Sequence, residues 1–245
     1  MQGMSVIDFR QGRYQDVLQD VVCDAVICDP PYSARTHEGH SRVLRYSGGG
    51  LKALPDSGER REINYPSWDA SDVEEFVKTF SGRCNGWIVA LTDHVLWPIY
   101  ESCFLDAGRY VFQPVPCVIR GMSVRICGDG PSSWAVYAVV ARPRWDMPWG
   151  TLPGAYTVGR GDISNASDKK VMGSKPLALM NAIIRDYSRP GDLICDPCAG
   201  GATTLIAAAT QGRRAVGAEM DPDTFKKAQA RIAKGYTPDF LEASA

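Results

Sequence analysis

Asp192-Leu193-Ile194-Cys195-Asp196-Pro197-Cys198-Ala199-Gly200-Gly201-Ala202-Thr203-Thr204 is the stretch on which the fold turns. A short apolar run ends in an acid, four small residues follow, and a helix-forming pattern starts near Gly201. Residues as small as Ala199 to Ala202 let backbone approach a ligand and leave helix N-terminal N–H groups facing it, which favours a nucleotide-like cofactor. The structural alternative is a tight βα turn whose glycines serve sterics alone. Glu219 ends the next strand-like run, about 20 residues on, where an acid in a nucleotide-binding βαβ unit accepts hydrogen bonds from ribose hydroxyls. Its alternative is a helix-start acid beside Asp221. The stretch does not supply G-x-G-x-x-G, so a dinucleotide and hydride transfer are the lesser reading.

A second acid-tipped run, Asp24-Ala25-Val26-Ile27-Cys28-Asp29, leads into Pro30-Pro31-Tyr32. Asp29 offers a carboxylate, Pro30 and Pro31 carbonyls on a stiff backbone, and Tyr32 an aromatic face. Those parts suit an aromatic amine. Its lone pair is delocalised into the ring, and hydrogen bonds to Asp29 and the Pro30 carbonyl draw the nitrogen toward tetrahedral geometry while Tyr32 stacks on the base. Alone, the tetrad also reads as a rigid turn leaving a strand.

Outward from these motifs the chain alternates. Strands are expected at 5–9, 25–28, 87–91, 110–119, 134–141, 193–195 and 215–218. Helices are expected at 16–22, 71–80 with Ser71-x-x-Glu74 as a capping box, 95–105, 176–188, 201–211 and 222–234. The pattern predicts one α/β domain over residues 1–245, a Rossmann-like, doubly wound, mostly parallel seven-stranded sheet with an antiparallel edge pair. Two stretches lose periodicity. Residues 33–66 carry Gly48 to Gly50 and six arginines or lysines, and read as a mobile loop; residues 142–174 place Trp145, Trp149 and Tyr156 among basic residues.

A formal net charge of −1 gives no whole-protein field for nucleic acid, so any polyanion contact must be local. Eight cysteines would suit a disulfide scaffold in a short secreted chain, but Cys28, Cys195 and Cys198 lie in or beside apolar strands, where thiols pack as small hydrophobes. A reducing cytoplasm is expected, in a prokaryotic or phage-type setting. Cys195-x-x-Cys198 has zinc spacing without a second ligand pair, so no metal is expected. With no leader-like N-terminus and no run of about 18 apolar residues, neither export nor a membrane is expected.

These motifs resemble the amino-methylating DNA methyltransferases that use S-adenosylmethionine, in the circularly permuted subgroup with Asp-Pro-Pro-Tyr ahead of the cofactor motif. The resemblance covers most of the chain outside the two inserts. It implies that Asp29, Pro30, Pro31 and Tyr32 form the catalytic motif on a flipped base. It further implies that Asp196, Pro197, Cys198, Ala199, Gly200 and Thr203 form the cofactor loop, with Asp196 near the cofactor amino group and Glu219 on the ribose. Lys175, in Ser174-Lys175-Pro176-Leu177, is the implied anchor at the methionine end. Cys198 stands where the family usually has Phe, and Gly201-Ala202 where Ser-Gly is commoner. Gly12 is followed by Arg13 instead of the usual Asp, leaving Asp16 as the acid nearest the adenine. Permutation would also set a strand before Asp29 beside the strand ending at Glu219.

The implied substrate is double-stranded DNA, gripped by residues 33–66 and 142–174, with a short or relaxed recognition sequence or help from a second copy as a homodimer. Asp at the head of the motif favours adenine N6. Cytosine N4 is the alternative target, RNA a lesser substrate, and a non-catalytic cofactor-binding subunit the alternative from another class. Whether a restriction nuclease accompanies the chain is left open.

Overall fold

The computed structural model describes residues 6–41, 65–120, 133–144, 149–159 and 174–234. The elements are β1 Ile7–Gln11, α1 Tyr14–Val17, β2 Ala25–Cys28, α2 Ala34–Ser41, α3 Ala70–Ser81, β3 Ile88–Thr92, α4 Trp97–Asp106, β4 Tyr110–Val111, β5 Val115–Ile119, β6 Ala135–Arg142, β7 Tyr156–Val158, α5 Leu177–Tyr187, β8 Leu193–Asp196, α6 Thr203–Thr210, β9 Arg214–Glu219 and α7 Pro222–Ala233. One sheet runs β1-β9-β8-β2-β3-β6-β5-β7, with β4 also on β6. The first five strands in that order are mutually parallel. β6 is antiparallel to β3, β4 and β5, and β7 is parallel to β5.

Period-2 alternation makes this a three-layer structure. Ala25 and Ile27 of β2, with Val89 and Leu91 of β3, pack on α5 and α6 through Ile183, Ile184, Leu205 and Ile206. Val26 and Cys28, with Ile88 and Ala90, face Leu18 and the side chains Phe76, Phe80, Tyr100 and Phe104 of α3 and α4. Because both faces are covered, β2, β3 and β8 are almost continuously apolar.

The α/β, mostly parallel, doubly wound sheet agrees with the reading from sequence, but among the described residues it has nine strands where seven are expected. The run 110–119 breaks at residues 112–114, where Pro114 has no N–H to give a ladder, leaving β4 and β5. β7 lies in the stretch 142–174, where the sequence shows no strand periodicity. The antiparallel strand β6 sits inside the sheet, and β7 takes the edge. β1 does pair with β9, setting a strand before Asp29 beside the one ending at Glu219, whereas β2, which leads into Asp29, pairs with β8.

The helix expected from Ser71 starts one residue earlier, with a different cap. Asp69 Oδ1 accepts the Ser71 and Asp72 N–H groups at 2.8 and 3.3 Å, and Asp72 Oδ2 accepts the Asp69 N–H at 2.9 Å. The Ser71 hydroxyl itself donates to Asp69. A charged acceptor outcompetes a neutral hydroxyl for the open helix amides. Of the stretch 33–66, residues 34–41 form α2 and 42–64 lie outside the described residues. Among the described residues no helix is long and apolar enough to cross a membrane.

Candidate active site

Four neighbouring parallel strands end in acids on one side of the sheet: Glu219 closes β9, Asp196 closes β8, Asp29 follows β2 and Asp93 follows β3. From β8 the chain leaves through α6 toward β9 on one face, and from β2 through α3 toward β3 on the other. The connections diverge between β8 and β2, which opens a crevice beyond their carboxyl ends. Asp196 and Asp29 flank that crevice.

On the β8 side, Gly200 and Ala202 adopt left-handed backbone at φ +48° and +62°, and Ala202 is the only non-glycine residue with positive φ among those described. For an L-residue this costs about 1–2 kcal/mol, held here by the Ala202 N–H to Ala199 carbonyl bond at 2.7 Å and by complete burial. α6 then begins without a side-chain cap, so its first amides stay open to a ligand. Glu219 braces the turn: Oε2 accepts the Gly200 N–H at 3.0 Å and Oε1 the Asp221 N–H at 2.8 Å. Gly217 lets β9 lie this close, since a Cβ there would stand 2.9 Å from the Asp196 carbonyl oxygen and from both Leu205 methyls.

Asp196 is 2% exposed and accepts the Cys198 N–H at 3.1 Å. Burial pushes its carboxyl up to about 7; the Thr204 hydroxyl and the Cys198 N–H oppose this, and the charges of Asp29 and Glu219 add to it. Asp196 thus feels both neighbouring acids of the crevice. Burial also raises Glu219.

On the β2 side both oxygens of Asp29 are engaged. Oδ1 accepts the Tyr32 hydroxyl at 2.9 Å, and Oδ2 accepts the Lys175 ammonium at 2.6 Å. The Lys175 Nζ also stands 4.8 Å from the centre of the Tyr32 ring. Burial, with Asp29 adding, holds the Tyr32 phenol well above its ordinary range, so it stays a donor. Asp93 fastens this loop. Its Oδ2 accepts the Ser33 N–H, the Ser33 hydroxyl and the Thr36 hydroxyl at 3.0, 2.5 and 2.6 Å, while Oδ1 accepts the Val95 and Leu96 N–H groups at 3.0 Å each.

The residues singled out from sequence therefore converge, with three differences of detail. Lys175, expected over the cofactor, is bonded to Asp29. The Thr203 hydroxyl accepts from Arg231 at 2.9 Å, and the same guanidinium holds the Gly201 carbonyl at 2.8 Å. Asp16 is exposed on α1. Pro30 is buried, Pro31 and Pro197 border the turns, and Ala199 is buried beneath the loop. The Cys198 thiol is raised well above its ordinary value by burial, then by Asp196 and Glu219, which leaves it an inert packing group. Asp93 was the residue missed, although it shares the acid-after-strand pattern that picked out Asp29 and Asp196.

Parts of the second insert serve the fold. Arg142 lies at the opposite end of the sheet, its guanidinium carbon 5.1 Å from the Tyr110 ring centre and 5.6 Å from that of Phe112. The Trp149 indole donates to the Asp186 carbonyl and the Tyr156 hydroxyl to the Asp186 carboxylate, each at 2.8 Å. Trp145 and residues 160–173 lie outside the described residues. Among the described residues no cluster of His, Cys, Asp and Glu is arranged to hold a metal.

This fold is similar to that of solved DNA methyltransferase structures. The crystal structure of the M1.HpyAVI-SAM complex matches with a TM-score of 0.67 at 19% identity, covering 92% of this chain and 98% of that one. The cytosine-N4-specific PvuII DNA methyltransferase matches at 0.64 and 14% identity, over 94% and 87%. Residues 157–230 match the family model described as DNA methylase, N6_N4_Mtase. The DNA adenine methyltransferase YhdJ of Escherichia coli (strain K12) is 40% identical over 69 residues, 27% of this chain and 24% of its own length. Over this segment the chain is similar to amino-methylating DNA methyltransferases, in line with the resemblance seen in its motifs. The match spans between 20% and 26% of the length of the curated relatives.

Proposed function

We propose that this chain transfers the methyl group of S-adenosylmethionine to the exocyclic amine of a base in double-stranded DNA, with adenine N6 as the target. The observation that carries this reading is the adjacency of Asp29 and Asp196 at the ends of neighbouring parallel strands, which sets an amine-binding tetrad against a cofactor turn in one crevice. The family matched by residues 157–230 supports it, as does the adenine specificity in the name of the Escherichia coli relative.

The donor set fits the cofactor. Carboxylates at Asp196 and Glu219 suit an ammonium and a ribose diol, and the left-handed turn brings main-chain amides to the same place. Bound there, S-adenosylmethionine supplies an electrophilic methyl carbon on a sulfonium that leaves as a neutral thioether. The protein's part is positioning. Asp29 and the Pro30 carbonyl hold the amine and orient its lone pair, and Tyr32 stacks on the base. Holding reactants in line in this way is worth up to about 7–11 kcal/mol. The base must be extruded first, at a cost of a few kcal/mol. A homodimer would add the DNA contacts of a second copy, and the expected setting is the cytoplasm.

Cytosine N4 is the second reading, favoured by the match to the PvuII enzyme, because the chemistry at Asp29 is the same for both amines. Incubation of unmodified DNA with methyl-labelled S-adenosylmethionine, followed by nucleoside analysis, tests the proposal. Label in N6-methyldeoxyadenosine supports it, and label in N4-methyldeoxycytidine transfers it to the second reading. Cofactor binding without transfer to DNA or RNA would leave a non-catalytic subunit.

A further inference from the structure

Resting on that reading, we propose that the Lys175 ammonium occupies the place of the target amine and must be displaced by the incoming base. An exocyclic amine needs two things here, an acceptor at Asp29 and the face of Tyr32. Lys175 takes both: its Nζ donates to Asp29 Oδ2 at 2.6 Å and stands 4.8 Å from the centre of the Tyr32 ring, an attractive position for a cation. The other Asp29 oxygen already accepts the Tyr32 hydroxyl, so the oxygen held by Lys175 is the one an amine must win. The pair is largely shielded, with the lysine side chain 11% and the aspartate 21% exposed. Such a charge-assisted bond is stronger than one between neutral groups, so the closed arrangement persists until stacking and a second hydrogen bond compensate.

The geometry also bears on a competing role. Donating to the ring nitrogen beside the amine would let Lys175 and Asp29 read the base edge together. An ammonium over the tyrosine face cannot remain there once a base stacks on that face, so displacement follows. Lys175 is adjacent to Ser174, whose hydroxyl is buried without a hydrogen-bond partner, so this stretch has bonding capacity in reserve for a second arrangement. Lys175 is then a gate on base entry that guards Asp29 and Tyr32 from other amines.

The test uses the full chain and deoxyadenosine, which carries the 6-amine, titrated by calorimetry. Lys175→Met keeps the apolar stem and removes the charge. We expect it to bind the nucleoside about tenfold more tightly than the wild type, with Tyr32→Leu weakening binding in either background. Unchanged or weaker binding by a folded Lys175→Met protein overturns the proposal. In the wild type, acetylation of Lys175 by an activated ester, read by mass spectrometry, should accelerate when the nucleoside is present. Slower or unchanged acetylation means that lysine and base share the site, which also overturns it and applies even if the variant fails to fold. Methyl transfer by wild-type protein is scored separately: its presence with either negative result removes the gate alone, and its absence removes the underlying function.

Discussion

The main-chain N–H of Gly200 donates to Oε2 of Glu219, tying the left-handed turn after β8 to the tip of β9. The Asp221 N–H takes the other oxygen. Glu219→Gln keeps the shape but offers one acceptor oxygen to two donors. Leaving one N–H unpaired should cost about 1–3 kcal/mol in denaturant unfolding. Affinity for S-adenosylmethionine, measured by calorimetry, should fall about 10- to 100-fold.

Asp196 makes stability depend on pH with an unusual sign. The unfolded chain ionises this carboxyl near 3.8, whereas burial holds the folded value at about 7. Its contribution is therefore fully present below pH 4 and is lost as pH rises toward 7, by on the order of 4 kcal/mol. Asp196→Asn should flatten this slope in melts of the ligand-free protein and raise Tm at pH 8. A cationic cofactor favours the ionised form, so affinity in the wild type should increase as pH rises through 7.

Gly217 is required by close approach. Its replacement by Ala would push a methyl against the Asp196 carbonyl oxygen, which is backbone and cannot swing aside. Gly217→Ala should lose about 1–3 kcal/mol in urea unfolding and weaken cofactor binding. Gly82→Ala, where a Cβ meets nothing within 4 Å, is the matched control and should not destabilise.

Asp93 accepts five hydrogen bonds that clamp the start of α2 to the end of β3. Burial alone would raise its carboxyl, but bonds from Ser33, Thr36 and Leu96 outweigh it and hold it below the usual range. Asp93→Asn turns an amide donor toward donors of the loop. Methyl transfer should fall about 100-fold in kcat/KM through misplacement of Asp29 and Tyr32, with cofactor affinity unchanged in a binding titration.

Much of this was legible in the chain because the apolar runs ending at Cys28, Thr92 and Cys195 are buried on both faces and stand out from polar surroundings. The acid at each run's end was visible too, and two of those acids were read as functional. β7 was not legible: Tyr156-Thr157-Val158 is too short for periodicity, and its place depends on β5 and on the bond from Tyr156 to Asp186. Nor was the partner of Lys175, since Asp29 lies 146 residues away and only the sheet order brings them together. The cap at Asp69 was misplaced by two residues because Ser71 fits the same pattern but acts as a donor.

The most direct measurement is single-turnover methyl transfer to unmodified DNA by wild-type, Asp29→Ala and Asp196→Ala proteins, each also titrated with S-adenosylmethionine. Asp29→Ala should bind the cofactor as the wild type does and transfer no methyl, while Asp196→Ala should fail at binding. Transfer by Asp29→Ala at the wild-type rate would contradict the assignment of the amine to the β2 side of the crevice.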